Sequence, residues 1–251
     1  MTFIGCLFIW QIFLPPPIFK ISTFILTVMK KISLLTVDAA GTLLKPWPSV
    51  GAVYGSTARK RGILVEDEQL QAQFGKAFNE VQKNARKNQG EEKDFWRKVV
   101  SLTFKPFHNG ETINELFEEL WDLFATGKPW IISDQAISTL ETLSDRGYRL
   151  AVLSNNDSRL RSVLLDLKVD HLFEYLFISS ELGFEKPQRE IFQSVEKTMH
   201  VVPDEIMHVG DSKYQDYEGA KEAGWNPILF GSEQKNKDHI MVFPELLNIL
   251  P

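Results

Sequence analysis

Apolar residues fall into two kinds of pattern along this chain. Ile32-Ser33-Leu34-Leu35-Thr36-Val37 is a short run rich in apolar and β-branched residues that ends at Asp38 and a glycine turn at Gly41. Such a run is expected of a strand buried on both faces of a parallel sheet. Similar runs predict strands at Tyr148–Leu153, Tyr175–Ser179, Glu205–Val209 and Asn226–Phe230. Helical periods lie between them, at about Asp134–Arg146, Ser158–Leu167, Pro187–Met199 and Tyr214–Ala223. Pro187 is expected to open its helix, where a missing N–H costs nothing. Strands alternating with helices of this length predict a doubly wound α/β sheet.

A different pattern occupies residues 45–127, which offer no convincing strand. Ile113, Leu116, Phe117, Leu120, Trp121 and Phe124 recur at three- and four-residue steps and form one apolar helix face. Val50–Arg61, Glu68–Arg86 and Glu91–Leu102 also read as helices. The expectation is therefore an α/β core over 29–44 and 128–251, with an all-helical cap inserted after the first strand. The cap is rich in aromatics (Phe74, Phe78, Phe95, Trp96, Phe104, Phe107, Phe117, Trp121 and Phe124), expected mainly to pack helix on helix.

Residues 1–28 are unlike the rest, with no Asp or Glu and a single basic residue, Lys20. Neither apolar run, Phe3–Leu14 or Ile18–Met29, reaches the roughly 20 residues that span a bilayer. Pro15, Pro16 and Pro17 break any helix joining them. We take Met29-Lys30-Lys31 as the expected start of the folded protein and the extension as upstream translation; a membrane anchor is the alternative.

The chain has 251 residues, which suits one or two domains. Its 43% apolar and 24% charged residues argue against disorder. A net charge of −5 makes electrostatic capture of nucleic acid a poor default. One cysteine, Cys6, excludes an internal disulfide or a Cys-rich zinc site, and a cytoplasmic enzyme is the expectation. The five histidines show no metal-binding spacing, and His208, inside a predicted strand, is expected in the core. Serine-elbow, Walker and dinucleotide glycine motifs are missing.

In an open parallel sheet, ligands bind beyond the carboxyl ends of the strands. Asp38, then Ser154 and Asn155, then Lys186, then Asp211 and Asp216 all follow predicted strands in that order. Each has an ordinary explanation alone: a strand end, a helix cap, a solvated loop charge. Together they suit phosphoryl transfer to a carboxylate. An aspartate can hold phosphorus as an acyl phosphate and so split a hard step in two. Asp211 is a hard oxygen ligand for Mg²⁺. Lys186 adds a fixed positive charge, and Thr42 and Ser154 can hydrogen-bond the phosphoryl oxygens.

These residues resemble the haloacid dehalogenase superfamily of hydrolases, whose pattern is a nucleophilic Asp in D-x-D-x-T, then Ser or Thr, then Lys, then an acidic pair. The resemblance covers about 29–251, and residues 45–127 match the helical cap of such proteins. Val53-Tyr54 through Arg61-Gly62, with Leu153-Ser154-Asn155, are similar to the domain-containing-3 type within it. It implies Asp38 as nucleophile with Lys186 as the second catalytic residue, phosphate contacts from Thr42, Ser154, Asn155 and Lys186, and Mg²⁺ held by Asp38, the Ala40 carbonyl, Asp211 and Asp216. Asp216 either positions Lys186 or holds a metal-bound water. The implied partner is a small phosphorylated molecule. One departure stands out: the second Asp of the motif, the general acid–base, is Ala40 here. Such a group contributes typically 10²–10⁴-fold. Asp38 to Thr42 also satisfies the D-x-A-G-T of phosphonoacetaldehyde hydrolases, which need a cap lysine; Lys76, Lys83 and Lys87 are candidates. A dehalogenase is the least favoured enzyme, and a catalytically weak binding protein is the non-enzymatic alternative.

Overall fold

The computed structural model describes residues 32–85, 92–108, 111–233 and 236–251. The apolar extension and the expected start at Met29 lie outside the described residues. Among those described, no helix is long and apolar enough to cross a membrane.

Six strands form one sheet in the order β5-β4-β1-β6-β7-β8, and every pairing is parallel. They are β1 (Leu34–Val37), β4 (Arg149–Ser154), β5 (Tyr175–Ile178), β6 (Ile206–Gly210), β7 (Asn226–Phe230) and β8 (His239–Ile240). The alternation of side chains across the pleat supplies two apolar layers. Leu35 and Val37 pack with Leu150, Val152 and Val209 against Leu140 and Leu143 of α5 (Ala136–Asp145). Leu34, Ala151, Leu153 and Ile206 face the other way, against Ile191, Phe192 and Val195 of α8 (Arg189–Met199). With both faces covered, each of the Val, Leu, Ile and Phe side chains contributes about 1.5–3 kcal/mol on burial. The chain runs from β1 outward to β4 and β5 on one side and then returns to β6 on the other, so the strand order reverses at β1, and the crevice at this switch point opens at the carboxyl ends of these strands.

Between β1 and α5 the chain builds α1 (Val50–Arg59), α2 (Asp67–Ala85), α3 (Glu92–Phe104) and α4 (Glu111–Phe124). Ser49 caps α1 by accepting the Ala52 N–H at 3.0 Å. These helices share their own apolar core, centred on Tyr54, Leu70, Phe104, Leu116 and Phe117. The expected packing of aromatics is seen: Tyr54 stacks on Phe104 and meets Phe74 and Phe124 edge-on, and Phe78, Phe95 and Trp96 form a second group.

Several expectations are corrected. Residues 45–127 were expected to hold no strand, but β2 (Leu44–Pro46) reaches into them and pairs antiparallel with β3 (Trp130–Ile132), just beyond, at the neck of the inserted helices. Three residues are too few to show alternation, and the pairing partners lie far apart in sequence. β8 escaped notice for the same reason. Pro187 does not open α8: a turn from the Gln188 N–H to the Glu185 carbonyl, 2.7 Å, keeps it in the loop before Arg189. The expected helix at Tyr214–Ala223 is a π-helical turn, Lys213–Glu218, followed by the short α9 (Gly219–Glu222). That wide turn brings Asp216 back toward β6.

Candidate active site

Asp38 is the first residue beyond β1, and its backbone N–H is fixed by the Val209 carbonyl at 2.8 Å. Ser154, the last residue of β4, donates its hydroxyl to Asp38 Oδ1 at 3.0 Å. Lys186 arrives from the loop after β5 and the short α7 (Ser179–Leu182). Its side chain is about 1% exposed, which a lysine tolerates only when paired. All three ammonium hydrogens are used: to Asp38 Oδ1 (2.7 Å), Asp216 Oδ1 (2.6 Å) and the Leu153 carbonyl (2.8 Å). Both side-chain bonds to Asp38 land on Oδ1, and among the described residues no hydrogen bond reaches Oδ2.

Asn155 is spent on placing Lys186. Its side-chain amide donates to the Lys186 carbonyl (2.8 Å) and its oxygen accepts the Lys186 N–H (2.7 Å). It was expected on the substrate; in this structure both ends of its amide hold the lysine backbone instead. Thr42 donates to Asp211 Oδ1 at 3.2 Å. Asp211 is exposed at the mouth of the site. Gly41 lies against it at φ +103°, and a Cβ there would come within 2.6 Å of Asp211 Oδ2. Gly210 is needed in the same way, since its Cβ would sit 2.2 Å from Asp216 Cγ. Ala40 is exposed beside this group.

Asp216 already accepts three hydrogen bonds, from Lys186 and His208 Nε2 (3.1 Å) on Oδ1 and from the Ser212 N–H (2.9 Å) on Oδ2. His208 is indeed a fully buried core residue, but it also belongs to the site. It is in register with Thr36 of β1, whose hydroxyl lies 2.9 Å from Nδ1. Sequence reasoning missed the link, although the parallel register and the three-residue spacing to Asp211 carry a faint signal. It also missed Asp157 and Arg159. The Arg159 guanidinium forks onto buried Asp157 (2.8 and 2.6 Å) and lies 3.4 Å over the Trp121 ring of α4. At the start of α6 (Arg159–Asp166), Asp157 accepts the Arg159 N–H at 3.1 Å.

The electrostatics follow from burial. Burial pushes the Asp38 carboxyl up to about 6; Asp216 and Asp211 add to the rise and Lys186 opposes it. Burial also acts to raise Asp216, but Lys186 and His208 outweigh it and hold that carboxyl below the usual range. Asp211, although exposed on one side, is raised by the desolvation of its carboxyl against the site and by Asp216. Burial works against the Lys186 charge, and the two flanking carboxylates more than restore it. One oxygen each of Asp38, Asp211 and Asp216 lie within 4.8 Å of one another, a hard donor set that fits a divalent cation such as Mg²⁺. Asp38 and Asp211 keep lone pairs for it, while Asp216 has spent most of its own.

The comparisons with known proteins identify the family and the fold. The family model described as haloacid dehalogenase-like hydrolase matches residues 32–224. Haloacid dehalogenase-like hydrolase domain-containing protein 3 of Homo sapiens is 31% identical over 237 residues, covering 88% of this chain and 93% of that protein. Glyceraldehyde 3-phosphate phosphatase of Methanothermobacter thermautotrophicus is 37% identical over 106 residues, 41% of this chain and 47% of that one. The magnesium-bound HAD-hydrolase YfnB of Bacillus subtilis shares the fold at a TM-score of 0.73 and 19% identity, over 88% of this chain and 99% of that one. With its sheet order, its inserted helices and its carboxylate and lysine cluster, this chain belongs to the haloacid dehalogenase-like hydrolases.

Proposed function

We propose that this hydrolase is a Mg²⁺-dependent phosphatase acting through an aspartyl phosphate on a small phosphorylated metabolite. The observation that carries the reading is the state of Asp38: one oxygen pinned by Ser154 and Lys186, the other open. Fixing Oδ1 aims Oδ2 at an incoming phosphorus, and such positioning supplies much of the barrier reduction in phosphoryl transfer. Bound between Asp38, Asp211 and the Ala40 carbonyl, Mg²⁺ would supply charge neutralisation for the phosphoryl group. Lys186 stays an ammonium, screens Asp38 from Asp216 and keeps the nucleophile in place. Ser154 and Thr42 can turn their hydroxyls to the phosphoryl oxygens once a substrate enters. The glyceraldehyde 3-phosphate phosphatase among the relatives supports a phosphorylated substrate.

The D-x-A-G-T match keeps phosphonoacetaldehyde chemistry as a second reading. That reaction needs a lysine that loses its proton, usually by desolvation. Lys76 and Lys83 are instead exposed on α2, which favours the phosphatase, and Lys87 lies outside the described residues. The test is p-nitrophenyl phosphate hydrolysis with Mg²⁺ and with chelator, in the parent and in Asp38→Asn. Metal-dependent turnover that disappears in the variant supports the proposal. Turnover unchanged in Asp38→Asn overturns it.

A further inference from the structure

Who protonates the leaving group? In an in-line displacement the departing oxygen lies opposite the attacking one, hence away from Asp38 Oδ2 and from the buried donors behind it. Those donors are also committed. Lys186 spends its three hydrogens on Asp38, Asp216 and Leu153, and the Ser154 and Thr42 hydroxyls, on Asp38 and Asp211 here, turn to the phosphoryl oxygens and not to the leaving group when a substrate enters. The Ser133 hydroxyl is bound to the Thr42 carbonyl. On the open side the chain runs Ala39-Ala40-Gly41, with no side-chain proton to offer, and Ala40 and Gly41 are exposed. Lys45 stands exposed on β2, on the opposite face from buried Leu44. Among the described residues of the inserted helices, the Tyr54 phenol is buried among Phe74, Phe104 and Phe124, and burial pushes its pKa up, which makes it a poor acid, while the Glu92 carboxyl at the start of α3 is engaged by Ser180 beside Asp157 and Arg159.

We infer that the substrates of this site are phosphoryl compounds whose leaving group departs as a stable anion without a proton: acyl phosphates or phosphoanhydrides. This rests on the phosphatase reading above. A carboxylate, with a pKa of about 4, or a phosphate, at about 6, leaves unprotonated at neutral pH. An alkoxide, closer to the value of about 16 for water, does not. The step balances without an acid. Asp38 Oδ2 bonds to phosphorus and the bond from phosphorus to the leaving oxygen breaks, its electron pair departing as carboxylate or phosphate. Water then attacks the same phosphorus, the pair returns to Asp38 and the proton of water passes to solvent, releasing inorganic phosphate.

The test compares kcat/KM of the full chain with Mg²⁺ on acetyl phosphate, pyrophosphate and glycerol 3-phosphate, corrected for spontaneous hydrolysis. At least one of the first two is expected to exceed glycerol 3-phosphate by at least about 10²-fold, the lower bound for a general acid. Whichever is faster separates the acyl phosphate from the anhydride. Ala40→Asp, at an exposed position, is expected to narrow the ratio by raising the glycerol phosphate rate. Comparable rates on all three in the parent chain would overturn the substrate class while leaving a working phosphatase. No phosphate release from any of them, and no phosphoryl group on Asp38, would overturn the underlying reading and this inference with it.

Discussion

Replacing Asp38, the proposed nucleophile, should make the protein more stable. In the folded chain burial and two neighbouring carboxylates raise Asp38 from 3.8 to about 6, so its ionised form is unfavourable there. The sign follows by linkage. Between those two values the folded state binds more protons than the unfolded one, so stability falls as pH rises through that window. Above about pH 6 the loss is complete, roughly 3 kcal/mol at 1.36 kcal/mol per pH unit. Asn mimics the protonated carboxyl and keeps an oxygen for Ser154 and Lys186. Asp38→Asn should therefore abolish turnover and yet stabilise the metal-free protein at pH 7.5 by roughly 1–3 kcal/mol. For a chain of this size that is a rise in Tm of roughly 2–12 °C. The assay is urea and thermal unfolding of both proteins in chelator, at pH 7.5 and near pH 4. The gain should vanish at the lower pH, and should shrink when Mg²⁺ is added, because a cation bound through Asp38 stabilises only the parent. A variant less stable than the parent at pH 7.5 would refute the reasoning.

Two other substitutions follow from the same geometry. Lys186→Met removes the ammonium shared by the buried Asp38 and Asp216, leaving them to Ser154 and to His208 with the Ser212 N–H, and is expected to cost about 3–5 kcal/mol at neutral pH in urea unfolding. Gly41→Ala must move Asp211 or strain a backbone at φ +103°. It should weaken Mg²⁺ binding at least about 10-fold, as loss of a supporting contact to a ligand typically does, measurable by titration calorimetry.

The fold was largely legible because β1, β4 and β6 are buried on both faces and, with the apolar stretches of the less buried β5 and β7, read as short apolar runs. Leu153 or Val209 could not sit in such a run on a solvated strand. The neck strands and β8 were illegible, since two or three residues pair by contacts that no local pattern announces. At the site, Asp38, Ser154, Lys186, Asp211 and Asp216 were found because each follows a strand at the same end of the sheet. What each does depends on which atom faces which. Sequence order could not tell that Asn155 grips the Lys186 backbone, or that His208 lies in register with Thr36 and reaches Asp216. Arg159 over Trp121 joins the core to an inserted helix across 38 residues, a contact set by the packing of the two parts.

The central claim is that Asp38 carries the phosphoryl group, and the most direct measurement is mass spectrometry of the chain quenched during turnover of acetyl phosphate with Mg²⁺. The account predicts one phosphoryl group on the peptide holding Asp38, lost in chelator and never formed in Asp38→Asn. Steady phosphate release with the label on another residue, or with the label still forming in the Asp38→Asn chain, would contradict it.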